Sequence, residues 1–431
     1  MVLEPRFARL LGSPRAAGIA AALVLGALAV VEVDVVRSLS ITFDEQSHIG
    51  AGFSYVTHGD VVLNPEHPPL VKLIAGATIA ALGVKEGSAG PLLALAREQP
   101  AEASGASFAY GERLLFHDNP GFVLAGARPG ADSIVTAARL PLVVFPVLLA
   151  LVAYAWARAR FGRGGGLLAL ALVVTYPDVL GHGALVTTDV PSAAVGLASG
   201  FALDQLVRDG RLRWLLLLGL ALGGALAVKF SAIFLAAGLA VAAGVAAKLG
   251  PERDAAGPAD PFGRARTGIG LALVGNLVHV EHEHPFHASS VNALGGAPGS
   301  FYRLLDDSNQ DWGQGLKALA RWQRERDVPR ITLLSSLLVD GADLLAAYGV
   351  AGEASVRNTR PLFFPEPGKT YAVSAHLMAR GVFDEMLTAR DARMVGREPP
   401  RLVLGRSVEP SEVVGGGLLI FDLRAAGRRQ P

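Results

Sequence analysis

The sequence predicts an α-helical polytopic membrane protein with about seven spans, a large first outer loop and a C-terminal extracytoplasmic α/β domain. Of its 431 residues, 51% are hydrophobic and only 18% charged, whereas a soluble chain carries nearer a quarter charged. The apolar residues are gathered into runs long enough to cross a bilayer. That texture stops near residue 280, beyond which apolar runs are short and mixed with polar residues. A net charge of +1 is too balanced for a nucleic-acid binder. The absence of cysteine removes disulfide scaffolds, thiolate metal sites and cysteine nucleophiles together.

Arg6, Arg9 and Arg15 precede an apolar run from Ala16 to Val36. The run is too long for a signal-peptide core and has no small-residue cleavage site before Glu32 and Asp34. It is read as the first span, with its basic end in the cytoplasm. Ile134–Ala157, Gly165–Leu180 and Ala184–Leu206 are the next three spans. Trp214–Ala247 is too long for one helix and contains Lys229, so it divides into two. Thr267–Val280, with Asn276 and His279, is the last. Leu70–Leu82 is apolar but short, about 20 Å as a helix against a hydrocarbon core of about 30 Å. Laid on the membrane surface, it leaves the basic loops Arg158–Arg163 and Arg208–Arg213 in the cytoplasm, as charge bias requires.

Residues 37–133 are then one outer loop within a membrane domain, 1–280, and 281–431 form the second domain. In this tail Ile331–Leu338, Tyr371–Ser374 and Gly417–Leu423 read as strands, and Gly313–Arg326 as an amphipathic helix through Leu316, Leu319, Ala320 and Trp322. Pro251–Pro261 reads as a flexible loop.

Chemistry concentrates in the first outer loop. Thr42 and Glu45 have the spacing of a capping box, and on the helix it would start, Asp44 and His48 share a face. Asn64-Pro65-Glu66-His67-Pro68-Pro69 leads into the short surface helix. From spacing alone, Glu45 is either the cap or a functional acid, and His67 either a ligand or a polar residue before a proline turn. Lys229 in an apolar run is either a functional cation or the mark of an outward turn, Arg139 either a functional cation or a snorkelling side chain, and Asp189 before Val190-Pro191 either an acid of the site or an N-cap. His279, His282, His284 and His287, interleaved with Glu281 and Glu283, have the density of a metal cluster, but the favoured reading is a polar exit from the membrane without a metal. Trp312, with Asp306, Asp307 and Asp311, is either a sugar-binding face or, the favoured reading, a loop and helix start with the indole packed inward.

Phe43-Asp44-Glu45, His48, Gly50 and His67-Pro68-Pro69-Leu70 with Lys72 resemble the first luminal loop of the protein O-mannosyltransferases and the related aminoarabinose transferases, glycosyltransferases of GT-C type. Downstream, Thr136–Pro141 around Arg139, Phe161-Gly162-Arg163, Leu185–Asp189 and Gly224–Ser231 around Lys229 are similar to segments of bacterial lipid-carrier-dependent members. So are His284-Pro285-Phe286, Asn292 and Asp307–Gln314. The resemblance implies a membrane glycosyltransferase of the bacterial inner membrane. It would move a sugar from a polyprenyl-phosphate donor to a hydroxyl of a protein, lipid or glycan on the extracytoplasmic side. It implies Asp44 and Glu45 as the catalytic carboxylates, Asp44 as the base and Glu45 supporting the acceptor or the structure, with Arg139 and Lys229 as ligands of the donor phosphate and His48, Glu66, His67 and Asp189 second in rank. The resemblance implies no definite cofactor, and a divalent metal ion in the first loop is left open, since some relatives use one and others do not. The chain carries fewer spans than such relatives between Ala247 and Val280. A shortened non-catalytic scaffold or glycan-binding protein is therefore the alternative. A transporter would want two matching halves with broken helices, which the sequence lacks.

Overall fold

A computed structural model of the chain describes residues 13–249, 281, 284–289, 311–335, 341–356, 365–379, 404–405 and 408–424. Helix α1 runs Pro14–Ser38. Ser13 caps it by accepting the Ala16 N–H at 3.1 Å, and Pro14 occupies the first helical position, where its missing N–H costs nothing.

Helices α2 (Phe43–His58), α3 (Leu70–Ala81), α4 (Gly90–Glu98) and α5 (Ala103–Glu112) follow, and α5 runs into a π-helical turn at Arg113–His117. The outer loop is thus a small helical unit. Glycines bring its helices together. A Cβ on Gly52 would lie 1.9 Å from the Lys72 carbonyl oxygen, one on Gly76 2.1 Å from the Gly52 carbonyl oxygen, and one on Gly111 1.9 Å from that of Gln46. Helix α2 therefore meets α3 and α5 backbone to backbone, and Ile49, Phe53, Ile79, Leu93 and Tyr110 fill the core between them.

Helix α6 (Ala131–Arg139) is buried along its whole length. It gives way to a 3-10 turn at Leu140–Val143, where Pro141 withdraws a backbone donor, and then to α7 (Val144–Val174). The span expected to begin at Ile134 is therefore divided. Helix α7 reverses at Gly162, whose φ of 73° and ψ of −171° leave the helical region. Its two arms pack together: a Cβ on Gly166 would lie 2.8 Å from the Arg158 Cβ, and Leu170 clusters with Ala150 and Tyr154. The basic stretch expected as a turn is that turn.

After α8 (Pro177–His182), α9 occupies Asp189–Asp209. The expectation of a helix from Ala184 is corrected, because residues 184–188 form a buried irregular segment. The backbone of Val186 is taken by side chains, its N–H by Glu45 and its carbonyl by His48, so it is not available to a helical ladder. Helices α10 (Leu212–Val228) and α11 (Ala232–Leu249) are separated by Lys229 in extended backbone, the division expected there.

Among the described residues, three helical stretches are long and apolar enough to cross a membrane: Pro14–Ser38, Ala131–Val174 and Asp189–Asp209. Helices α3, α10 and α11 are apolar but shorter. The chain is thus a polytopic helical membrane protein, while the count of about seven is not reached among the described residues. The expected span Thr267–Val280 and the loop Pro251–Pro261 lie outside those residues.

The C-terminal region contains α12 (Leu316–Glu325), β1 (Ile331–Ser335), α13 (Gly341–Tyr348), β2 (Gly352–Val356), β3 (Thr370–Ser374), α14 (Ala375–Ala379), β4 (Glu412–Val414) and β5 (Leu418–Asp422). Its open mixed sheet has the order β2-β1-β3-β5-β4. Strand β1 is parallel to β2 and β3 through Leu333↔Ala354 and Leu333↔Ala372, and β5 is antiparallel to β3 and β4. The sheet unit shares a core with the outer-loop helices, Leu316, Leu319 and Leu344 joining Ile41 and Ile134. Polar ties reinforce that union. The Tyr348 hydroxyl accepts the Ile41 N–H at 2.8 Å, and Lys317 reaches both Asp132 (2.6 Å) and the Arg37 carbonyl (2.7 Å).

Candidate active site

Five stretches of the sequence converge on one cleft of about 370 Å³. Its walls include Asp44 and His48 of α2, His67, Thr187-Thr188-Asp189 at the start of α9, Lys229 between α10 and α11, and Trp312. Of the residues expected at a site, the fold brings Asp44, His48, His67, Asp189 and Lys229 together here. Glu45, Glu66 and Arg139 are not among its walls.

Glu45 and Arg139 face each other beneath the cleft, both fully buried. Arg139 donates Nε–H to Glu45 Oε1 at 2.8 Å and one Nη2–H to Oε2 at 2.5 Å. Its remaining donors go to the carbonyls of Val36 (3.3 Å), Leu39 (3.0 Å) and Ser40 (2.8 Å). Glu45 also accepts from the Thr42 N–H and hydroxyl, both at 2.9 Å, and from the Val186 N–H at 2.9 Å. Burial alone would raise the Glu45 carboxyl; Arg139 and these N–H donors outweigh it and hold the group below the ordinary carboxylate range. The pair ties α1, α2, α6 and the segment before α9 into one frame. Arg139 keeps no donor for a ligand.

His48 stands one turn after Asp44. Its Nδ1–H donates to the Val186 carbonyl at 2.6 Å, which fixes the tautomer and leaves Nε2 as an acceptor. Burial pushes its pKa down to about 4, against the opposing pull of that carbonyl, so the ring is neutral at pH 7. His67 meets it edge to face at 5.4 Å. Burial and the charges of Lys72 and Lys229 lower its pKa as well.

Lys72 anchors the proline loop that carries His67. Its ammonium, buried under α3, donates to the Asn64 carbonyl (2.7 Å) and Oδ1 (2.9 Å), the His67 carbonyl (2.7 Å) and the Tyr55 hydroxyl (3.1 Å). Burial lowers its pKa to about 8, which still leaves it charged at pH 7.

Lys229 is the cation that faces the cleft. Its Nζ lies 2.7 Å from Asp189 Oδ1, and both side chains are part-exposed. Trp312 packs against the buried Val35, Leu39 and Leu185, and it lines both the cleft and a small apolar pocket shared with Leu39, Leu185 and Phe286. Its carbonyl accepts the Phe43 N–H at 2.8 Å, and Ser40 bridges the Gly313 carbonyl and the Leu316 N–H. Long-range docking of this kind has no local signature in the sequence.

Of the four histidines between 279 and 287, His279 and His282 lie outside the described residues. His284 sits 3.0 Å from His287 and 2.8 Å from Asp34. Among the described residues no group of three or more His, Asp or Glu side chains is placed to hold a metal ion.

No curated protein matches the chain. The family model of dolichyl-phosphate-mannose-protein mannosyltransferases matches residues 131–249, a stretch that contains Arg139, Asp189 and Lys229. Over that stretch the chain is similar to this family, in agreement with the GT-C resemblance of its motifs.

Proposed function

We propose that this protein is a glycosyltransferase of the bacterial inner membrane. It moves a sugar from a polyprenyl-phosphate donor to a hydroxyl of a protein, lipid or glycan on the extracytoplasmic side. The observation that carries the reading is the meeting of Asp44, Asp189 and Lys229 on one cleft, with the cation seated where two apolar helices join. A lipid-linked donor needs that combination: apolar flanks for its tail, positive charge for its phosphate and a carboxylate beside its sugar.

In the reaction, the acceptor oxygen forms a bond to the anomeric carbon as the bond from that carbon to the phosphate oxygen breaks. Asp44 receives the acceptor proton, and the electron pair leaves with the polyprenyl phosphate. The phosphate gains negative charge, which Lys229 stabilises. Donor binding redistributes Lys229 from Asp189 to the phosphate. His48, neutral and fixed through Val186, presents Nε2 as an acceptor for a sugar or acceptor hydroxyl. Glu45 and Arg139 act as positioning residues, holding Val186 and the start of α2 in register, and Lys72 does the same for His67. This reassigns Arg139 from phosphate ligand to frame.

About seven spans, with the amino end in the cytoplasm, put this cleft and the C-terminal sheet outside. The test is donor consumption with polyprenyl-phosphate mannose and a membrane extract as acceptor. Lys229→Gln is expected to raise the KM for donor by tenfold or more. An unchanged donor KM and rate would overturn the assignment, and absence of turnover in the wild type would favour the scaffold reading.

A further inference from the structure

Trp312 belongs to the C-terminal region, yet its indole forms a wall of the cleft otherwise built from the membrane helices and first loop. It is held there firmly. The Trp312 backbone N–H donates to Gln314 Oε1 at 2.6 Å, and its backbone carbonyl accepts the Phe43 N–H at 2.8 Å, next to Asp44 in sequence. Gly313, at a φ of +100°, makes the turn that follows and accepts from the Ser40 hydroxyl at 2.7 Å. Behind the indole stand His182, edge-on at 5.9 Å between ring centres, and the apolar side chains Val35, Leu39 and Leu185.

Apart from Phe43, the other walls are polar: two carboxylates, two threonine residues, two imidazoles and an ammonium group. A rigid aromatic surface among such groups suits a ligand with one apolar face and a rim of hydroxyls. A pyranose has that character, its ring C–H bonds lying against an aromatic face while its hydroxyls bond to carboxylates and imidazoles. The cleft volume of about 370 Å³ lies in the lower part of the range for small-molecule sites, roughly 300–1,000 Å³.

We infer that Trp312 is the sugar platform of this site: the hexose of the lipid-linked donor stacks on its indole while the attached phosphate contacts Lys229. The inference rests on the proposed donor and divides its recognition between two parts of the chain. The membrane helices hold the phosphate, and the C-terminal region holds the sugar. Exclusion of water from the ring face by the indole also favours attack by the acceptor over hydrolysis.

The test compares Kd values of the full chain in lipid nanodiscs for polyprenyl phosphate and for polyprenyl-phosphate mannose. In the wild type the mannose is expected to tighten binding by about tenfold, the upper end of what one aromatic contact contributes. Trp312→Ala is expected to abolish that gain while polyprenyl phosphate binds within about twofold of wild type, which also reports an intact fold. Trp312→Phe is expected to keep part of the gain. A gain that survives in Trp312→Ala, or is absent from the wild type while both lipids bind through Lys229, would overturn the inference alone. If neither lipid binds, or if binding ignores Lys229→Gln, the donor assignment fails and the sugar platform with it.

Discussion

His48 shows how one residue's surroundings set its chemistry. Its Nδ1–H is committed to Val186, and burial lowers its pKa from 6.5 to about 4. Above pH 6.5 the ring is neutral whether the chain is folded or not. Between pH 6.5 and 4 the unfolded chain takes up a proton that the native state refuses, so stability falls with pH across that window. The melting temperature of the wild type is expected to drop more steeply from pH 6.5 to 4.5 than that of His48→Gln, which has no such proton to bind. Parallel curves would contradict the buried neutral imidazole. The sequence indicated His48 through its spacing from Asp44, but Val186 lies far along the chain and no local pattern announces that bond. Lys229 was legible for a simpler reason: a cation that interrupts a long apolar run must either face a polar cavity or end a helix, and it does both.

At the scale of elements, Glu45 and Arg139 are the clearest case of one residue pair joining several segments. Removing Arg139 leaves a carboxylate buried without its partner and frees three carbonyls at the end of α1. Arg139→Met is expected to destabilise the protein by about 3–5 kcal/mol, visible as loss of folded material in a thermal or proteolysis assay. The double variant Arg139→Met/Glu45→Leu is expected to recover much of that loss, because no charge is then stranded. A well-folded single variant with a raised donor KM would instead make Arg139 a phosphate ligand. The Thr42-x-x-Glu45 spacing rightly announced a helix start, and Glu45 does reach back to Thr42. Its second role, toward Arg139 and Val186, depends on tertiary contacts that spacing does not encode. The glycines of the outer loop were similarly ambiguous. Read along the chain they suggest turns, yet Gly52, Gly76 and Gly111 sit within helices where no side chain fits between neighbouring backbones. The apolar run at Ala184–Thr188 misled in the opposite sense, since its backbone serves Glu45 and His48 rather than a helix.

For the molecule as a whole, the strands around 331, 371 and 418 and the amphipathic α12 were legible from the short apolar runs and helical spacing of the tail. Hydropathy does not say that the two regions share a core or that the C-terminal one reaches into the cleft. Ser40, Ile41 and Phe43 bond directly to Gly313, Tyr348 and Trp312, so the segment presenting Asp44 is set by both regions at once. Under the proposed function, transfer depends on both regions, and Asp44 is the residue on which the arrangement converges. The decisive measurement is the rate of sugar transfer from polyprenyl-phosphate mannose by full-length Asp44→Asn, in membranes where donor binding is measured alongside. Donor affinity close to wild type with a rate lower by about 10²–10⁴-fold is expected for a lost general base. Transfer at the wild-type rate would contradict a carboxylate-driven glycosyltransferase at this cleft.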